Sequence, residues 1–134
     1  MTSFFIGGGG SNSTPVSTID WTNITNKPNI DIAGLSIDFN FSDTFPKLIG
    51  NVPNNLNISE VEIEIITLFD DGILLTIGDS IDNEQLMSSL ENEPQVALKF
   101  SKDSDYKYSV ATDIYLYISG IPTQGSGKIR VYFD

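Results

Sequence analysis

Apolar residues recur at every second position in six separate stretches of this chain. Leu35, Ile37, Phe39 and Phe41 alternate with Ser36, Asp38 and Asn40. Val61, Ile63 and Ile65 alternate with Glu60, Glu62 and Glu64. The pattern returns at Val96, Leu98 and Phe100, at Tyr106, Tyr108 and Val110, and at Ile129, Val131 and Phe133. Ile114, Leu116 and Ile118 point one way while Tyr115 and Tyr117 point the other. Successive side chains of a strand leave opposite faces, so this spacing describes strands with one face in a core and one in water. Seven or eight such strands predict an all-β fold, an antiparallel β-sandwich of jelly-roll-like type. An immunoglobulin-like sandwich is the other candidate, disfavoured by the long Asn/Pro loop and the absent Cys pair.

The connections are read from turn chemistry. Residues 42–57, with Pro46, Pro53, Asn54 and Asn55, read as one long loop. Asp70-Asp71-Gly72 between two apolar runs predicts a hairpin, because Gly tolerates positive φ. Lys102 to Asp105 reads as a polar turn. Asp82 to Leu90 is the one helical candidate, with Asp82 as cap and Leu86 and Leu90 sharing a face. The loop Ser119 to Gly127 is glycine-rich but lacks the Gly-Lys-Ser/Thr ending and following helix of a phosphate loop.

Ahead of the strands lies a different composition. Gly7 to Gly10 and then Ser11-Asn12-Ser13-Thr14-Pro15 form an extended Gly-rich N-terminal arm. The expected organisation is a flexible attachment arm over 1–18, an extended junction over 19–34 and the sandwich over 35–134. Phe4, Phe5 and Ile6 read either as part of a free tail or as an anchor entering a partner's groove. Trp21, Ile24, Lys27 and Pro28 are candidates for a partner or subunit contact, with a packing anchor as the plainer reading. Tyr115, Tyr117 and Tyr132 are candidates for an aromatic stripe that contacts a ligand or a subunit.

Composition narrows the chemistry. The chain has 134 residues, enough to bury roughly two thirds of its unfolded surface in one core. It has neither Cys nor His, which removes thiolate and imidazole catalysis and the commonest metal ligands. A pair of carboxylates is the remaining catalytic option, and the acids sit in turns or on outward positions, so no enzyme activity, cofactor or metal is expected. Calcium at Asp70 and Asp71 lacks the number of oxygens that ion requires. The net charge is −11. Residues 1–57 hold four Asp against Lys27 and Lys47, net −2; the rest holds 14 acids against five bases, net −9. That acidity disfavours nucleic acid and anionic membranes. No apolar run approaches the ~20 residues of a membrane span, and no charged-then-apolar leader opens the chain, so use without export is expected. Glu60, Glu62 and Glu64 are read as a solvated acidic face, or as the partners of Lys or Arg across a subunit boundary.

The stretch Ile19-Asp20-Trp21-Thr22-Asn23-Ile24-Thr25-Asn26-Lys27-Pro28 resembles the Asp-Trp-x-x-Val/Ile-x-x-Lys-Pro element of tailed-bacteriophage fibre and head-fibre proteins. The run from Tyr117 to Phe133 looks like the last hairpin of small phage β-sandwich virion proteins. The resemblance covers about ten residues in the first motif and implies a structural virion protein, often trimeric, assembled in the host cytoplasm. Its partners would be capsid or other virion proteins. The absence of a shaft repeat and of heptads favours a head fibre or capsid decoration protein over a tail fibre. In that reading residues 1–18 attach to the capsid, and the sandwich projects with its acidic strand facing solvent. A tail-fibre or receptor-binding module that stacks a host surface glycan on Trp21, Tyr115 and Tyr117 is the alternative.

Overall fold

The computed structural model describes residues 32–134; the arm and most of the junction lie outside them. Seven strands follow: β1 (Ile32–Asn40), β2 (Lys47–Val52), β3 (Asn57–Thr67), β4 (Leu74–Gly78), β5 (Lys99–Lys107), β6 (Thr112–Ser119) and β7 (Ser126–Phe133). They form two antiparallel sheets, one ordered β1-β7-β3-β5 and the other β2-β6-β4. The fold is all-β, as the alternation requires, and β1 starts inside the stretch assigned to the junction.

The order of pairing identifies the jelly roll. β1 pairs with β7, β2 with β6, and β3 with β5, a nested series in which each pair lies inside the previous one. The next pair inward would join β4 to an eighth strand. That place is held by a single bridge, Ile77 to Met87. Every odd strand lies in one sheet and every even strand in the other, so each connection between numbered strands crosses the sandwich.

This crossing corrects several expectations. The Asp70-Asp71-Gly72 turn forms, with Gly72 at φ 84° and the Ile73 N–H donating to the Asp70 carbonyl at 3.3 Å. It joins strands of different sheets, however, because Phe69 and Ile73 on either side both enter the core. The stretch from Tyr117 to Phe133 is likewise a crossover from β6 to β7 rather than a hairpin. The 42–57 loop contains β2, and the polar stretch Lys102 to Asp105 continues through β5. Val96 and Leu98 precede β5 and lie outside any strand.

The helix expected over Asp82 to Leu90 is absent. Its backbone groups are spent elsewhere: Leu86 and Met87 N–H donate to the Ile77 carbonyl, and Ile77 N–H donates to the Met87 carbonyl. Leu86 is buried while Leu90 is 93% exposed, so the pair shares no face. Only the short 3-10 turn Ser89–Glu91 forms, capped by Ser88, whose hydroxyl accepts from Leu90 N–H while Glu91 accepts from Ser88 N–H.

The core lies between the sheets, built from the inward positions of the alternating stretches. Val61, Ile63 and Ile65 of β3 meet Ile129 and Val131 of β7 on one side, with Ile114 and Leu116 of β6 on the other sheet. Phe39 and Phe69 stack at 6.0 Å beneath the glycine-rich loop. A Cβ on Gly125 would lie 2.4 Å from the Phe69 ring, and its φ of 134° disfavours any side chain. Gly125 and Gly127 make room for the Phe69 and Phe39 rings. Gly125→Ala should therefore cost about 1–3 kcal/mol, measured by denaturant melts.

Candidate interaction surfaces

The two outer faces of the sandwich differ in chemistry. On the four-stranded sheet the register sets charges opposite one another. Glu62 stands opposite Arg130 and Glu64 opposite Lys128. Lys128 Nζ lies 3.0 Å from Asp38 Oδ1 on β1. The Arg130 guanidinium donates to both Glu62 and Glu64, the latter at 3.3 Å. Burial opposes the charge of Arg130, yet Glu62 and Glu64 outweigh it and hold its pKa above the ordinary value. The Tyr132 hydroxyl is held above the usual phenol range by burial and then by Glu62.

The glutamate row is thus neither a freely solvated face nor one that needs a neighbouring subunit. β3 lies between β7 and β5, and Glu62 is only 8% exposed. Its cation comes from the same sheet. Tyr132 is also separated from the other two tyrosines, since it lies on β7 while Tyr115 and Tyr117 lie on β6 of the other sheet. The three do not form one stripe.

The outer face of the three-stranded sheet carries little charge. Leu48 stands opposite Tyr115, Thr76 opposite Tyr117, and Leu74 opposite Ser119. Leu48 and Leu74 are about half exposed, at 51% and 45%. The Tyr115 and Tyr117 rings lie 6.1 Å apart. Asp113 is the charged group of this face, and it accepts from Asn51 Nδ2 at 2.9 Å. A cleft of about 250 Å³ opens beside Tyr117, lined by Leu74, Thr76, Asn83, Glu84, Ser89, Ile118 and Ser119.

Asp79 organises the loop that walls this cleft. Its Oδ1 accepts from the N–H groups of Ile81 and Asp82 at 2.9 and 2.8 Å. Its Oδ2 accepts from the Tyr108 hydroxyl at 2.8 Å, and its backbone carbonyl from the Tyr117 hydroxyl at 2.8 Å. Tyr108 follows β5 and Tyr117 belongs to β6, so one residue ties both sheets to the loop. Burial alone would raise the Asp79 pKa; the Asp82 amide, the Tyr108 hydroxyl and the Ile81 amide together bring it below the ordinary value. Burial, reinforced by Asp79, pushes the Tyr108 hydroxyl far above the phenol range, so it stays a donor. Sequence reading missed this node; the signal was Asp79 just after β4, where Asp folds its side chain over following amides.

Phe4, Phe5, Ile6, Trp21, Ile24, Lys27 and Pro28 lie outside the described residues. Among the described residues no group of three or more acids is placed to hold a metal. The Asp70 carboxylate accepts from the Thr123 amide and hydroxyl, the latter at 3.1 Å. No helix of the described residues is long and apolar enough to cross a membrane.

No family model matches the sequence, and no curated protein matches it. Solved structures do. A chain of the cyanophage Pam1 capsid asymmetric unit superposes with a TM-score of 0.54 at 16% identity, over 74% of this chain and 81% of that one. A chain of the acidic stable capsid structure of Helicobacter pylori bacteriophage KHP30 gives 0.57 at 13% identity, over 78% and 92%. At these identities the likeness is one of fold.

Two consequences are measurable. Arg130→Met removes the cation bonded to Glu62 and Glu64, leaves the buried Glu62 unpaired, and should cost about 2–4 kcal/mol in denaturant melts, much of it recovered in Arg130→Met/Glu62→Leu. Asp79 stabilises the fold fully above the unfolded carboxylate value of about 4 and ceases to do so as pH falls through its lower folded value. The melting temperature should fall over that acid range, with a shallower fall in Asp79→Asn.

Proposed function

We propose that this chain is a non-enzymatic structural protein of a bacteriophage virion, a head-fibre or capsid decoration protein that assembles as a homotrimer in the host cytoplasm. The observation that supports this most is the jelly roll itself, shared with chains of two phage capsids and preceded here by the Gly-rich stretch and the Asp-Trp-x-x-Ile-x-x-Lys-Pro element. In this reading residues 1–18 are the attachment arm, with Phe4, Phe5 and Ile6 entering a groove on a capsid protein. Trp21, Ile24, Lys27 and Pro28 fix the chain at a subunit junction. Three arms on one trimer bind together, so weak single contacts add to firm attachment.

The carboxylates favour a structural role. A glycosidase-type acid needs a raised pKa. Among the described residues, the carboxylates with a displaced pKa are Asp43, Asp79 and Glu91, each displaced downward and held by backbone or side-chain donors.

Co-sedimentation with purified capsids and, separately, purified tails tests the proposal, using the full chain and a form lacking residues 1–18. Both forms should sediment alone as trimers, and only the full chain should pellet with capsids. Pelleting with tails alone would support the tail-fibre reading instead. A monomer that ignores capsids would overturn the proposal.

A further inference from the structure

The cleft beside Tyr117 has features that a purely structural face does not require. The Tyr117 ring forms one wall, and its hydroxyl is tied to the Asp79 carbonyl at 2.8 Å, so its orientation is set before any ligand arrives. Around it stand the hydroxyls of Thr76, Ser89 and Ser119, the amide of Asn83 and the carboxylate of Glu84. None of these five side chains makes a hydrogen bond or ion pair to another described residue, although Thr76 is only 9% exposed. Asn83, Glu84 and Ser119 are exposed and Ser89 is half-buried, so these groups are open to solvent and available to exchange water for the hydroxyls of a ligand. A second ring, Tyr115, lies outside the cleft with its centroid 6.1 Å from that of Tyr117.

We propose that this cleft is a binding site for a neutral saccharide, seating one pyranose ring against Tyr117 with the next unit extending toward Tyr115. A pyranose offers an apolar face of C–H groups and a rim of hydroxyls. The first packs on an aromatic ring, and the second exchanges hydrogen bonds with hydroxyl, amide and carboxylate side chains. The volume of about 250 Å³ falls just below the ~300–1,000 Å³ of drug-sized pockets, which suits one sugar unit. Glu84 and a net charge of −11 select against uronic and sialic acids. The proposal is independent of the capsid reading: a decoration protein and a tail module are equally able to carry such a site.

The test uses the full chain and neutral trisaccharides of glucose, galactose, mannose and N-acetylglucosamine, with an anionic sialyl trisaccharide as comparison, read by saturation-transfer NMR. At least one neutral probe should bind saturably, with a dissociation constant of about 1 mM, and the sialyl probe should bind more weakly. Tyr117→Ala should weaken binding about tenfold or more. Because that change removes the tie to Asp79, the double variant Asn83→Ala/Ser89→Ala carries the same test without touching the fold. It should lose about tenfold in affinity at an unchanged melting temperature. No saturable binding of any neutral probe at ten times that concentration, or unchanged affinity in the double variant, overturns the proposal. Loss of capsid co-sedimentation in the double variant also overturns it, since the cleft would then be a protein contact. Failure of the capsid reading shows differently, as absence of capsid binding in the unaltered chain.

Discussion

The ladder of β7 with both β1 and β3 is the interaction on which the four-stranded sheet depends. β7 stands between them, so without it β1 has no partner and β3 keeps only β5. The same register does two jobs. It puts Ile129 beside Ile63 in the core, and it puts Arg130 beside Glu62 on the outside. A slip of one residue would send the isoleucines to solvent and the charges inward, so the hydrophobic and ionic preferences fix one alignment together.

The nested pairing has one irregular level, and the chain compensates for it with side chains. Where an eighth strand would complete the edge of β4, Asn92 Nδ2 donates to the Leu75 carbonyl at 3.0 Å and Gln95 Nε2 to the Ile73 carbonyl at 3.1 Å. Two amide side chains and the Met87 bridge cover backbone that would otherwise be an exposed edge. On the facing edge, Lys102 of β5 occupies an inward position and pairs with Glu91 at 3.2 Å. A charge placed inward on an edge strand discourages another chain from pairing there.

Strand content was legible in the sequence because alternation is a local property. The inward positions of β3, β6 and β7 follow from the alternation at Val61, Ile63 and Ile65, Ile114 and Leu116, and Ile129 and Val131, while the burial of Glu62 on the outer side does not. What was not legible depends on distant partners. Asp70-Asp71-Gly72 specifies a tight turn but cannot say whether the next strand pairs with the last or crosses to the other sheet. Glu60, Glu62 and Glu64 specify an acidic row, but the cation that answers it is nearly seventy positions away, at Arg130. The Asp82 to Leu90 stretch has helical spacing, and it lost to backbone bonds with Ile77 that no local window contains. Tyr115 and Tyr117 were placed on the right face; Tyr132 was grouped with them because alternation does not say which sheet a strand joins.

The position of β7 also has a consequence for how the protein is made. Among the described strands β1 is made first, and its ladder partner β7 is made last. During most of synthesis the four-stranded sheet is therefore open at β1, and β1 presents bare edges to its surroundings. The β2–β6, β4–β6 and β3–β5 ladders have both their strands before β7, whereas β1 joins its sheet only once β7 is made.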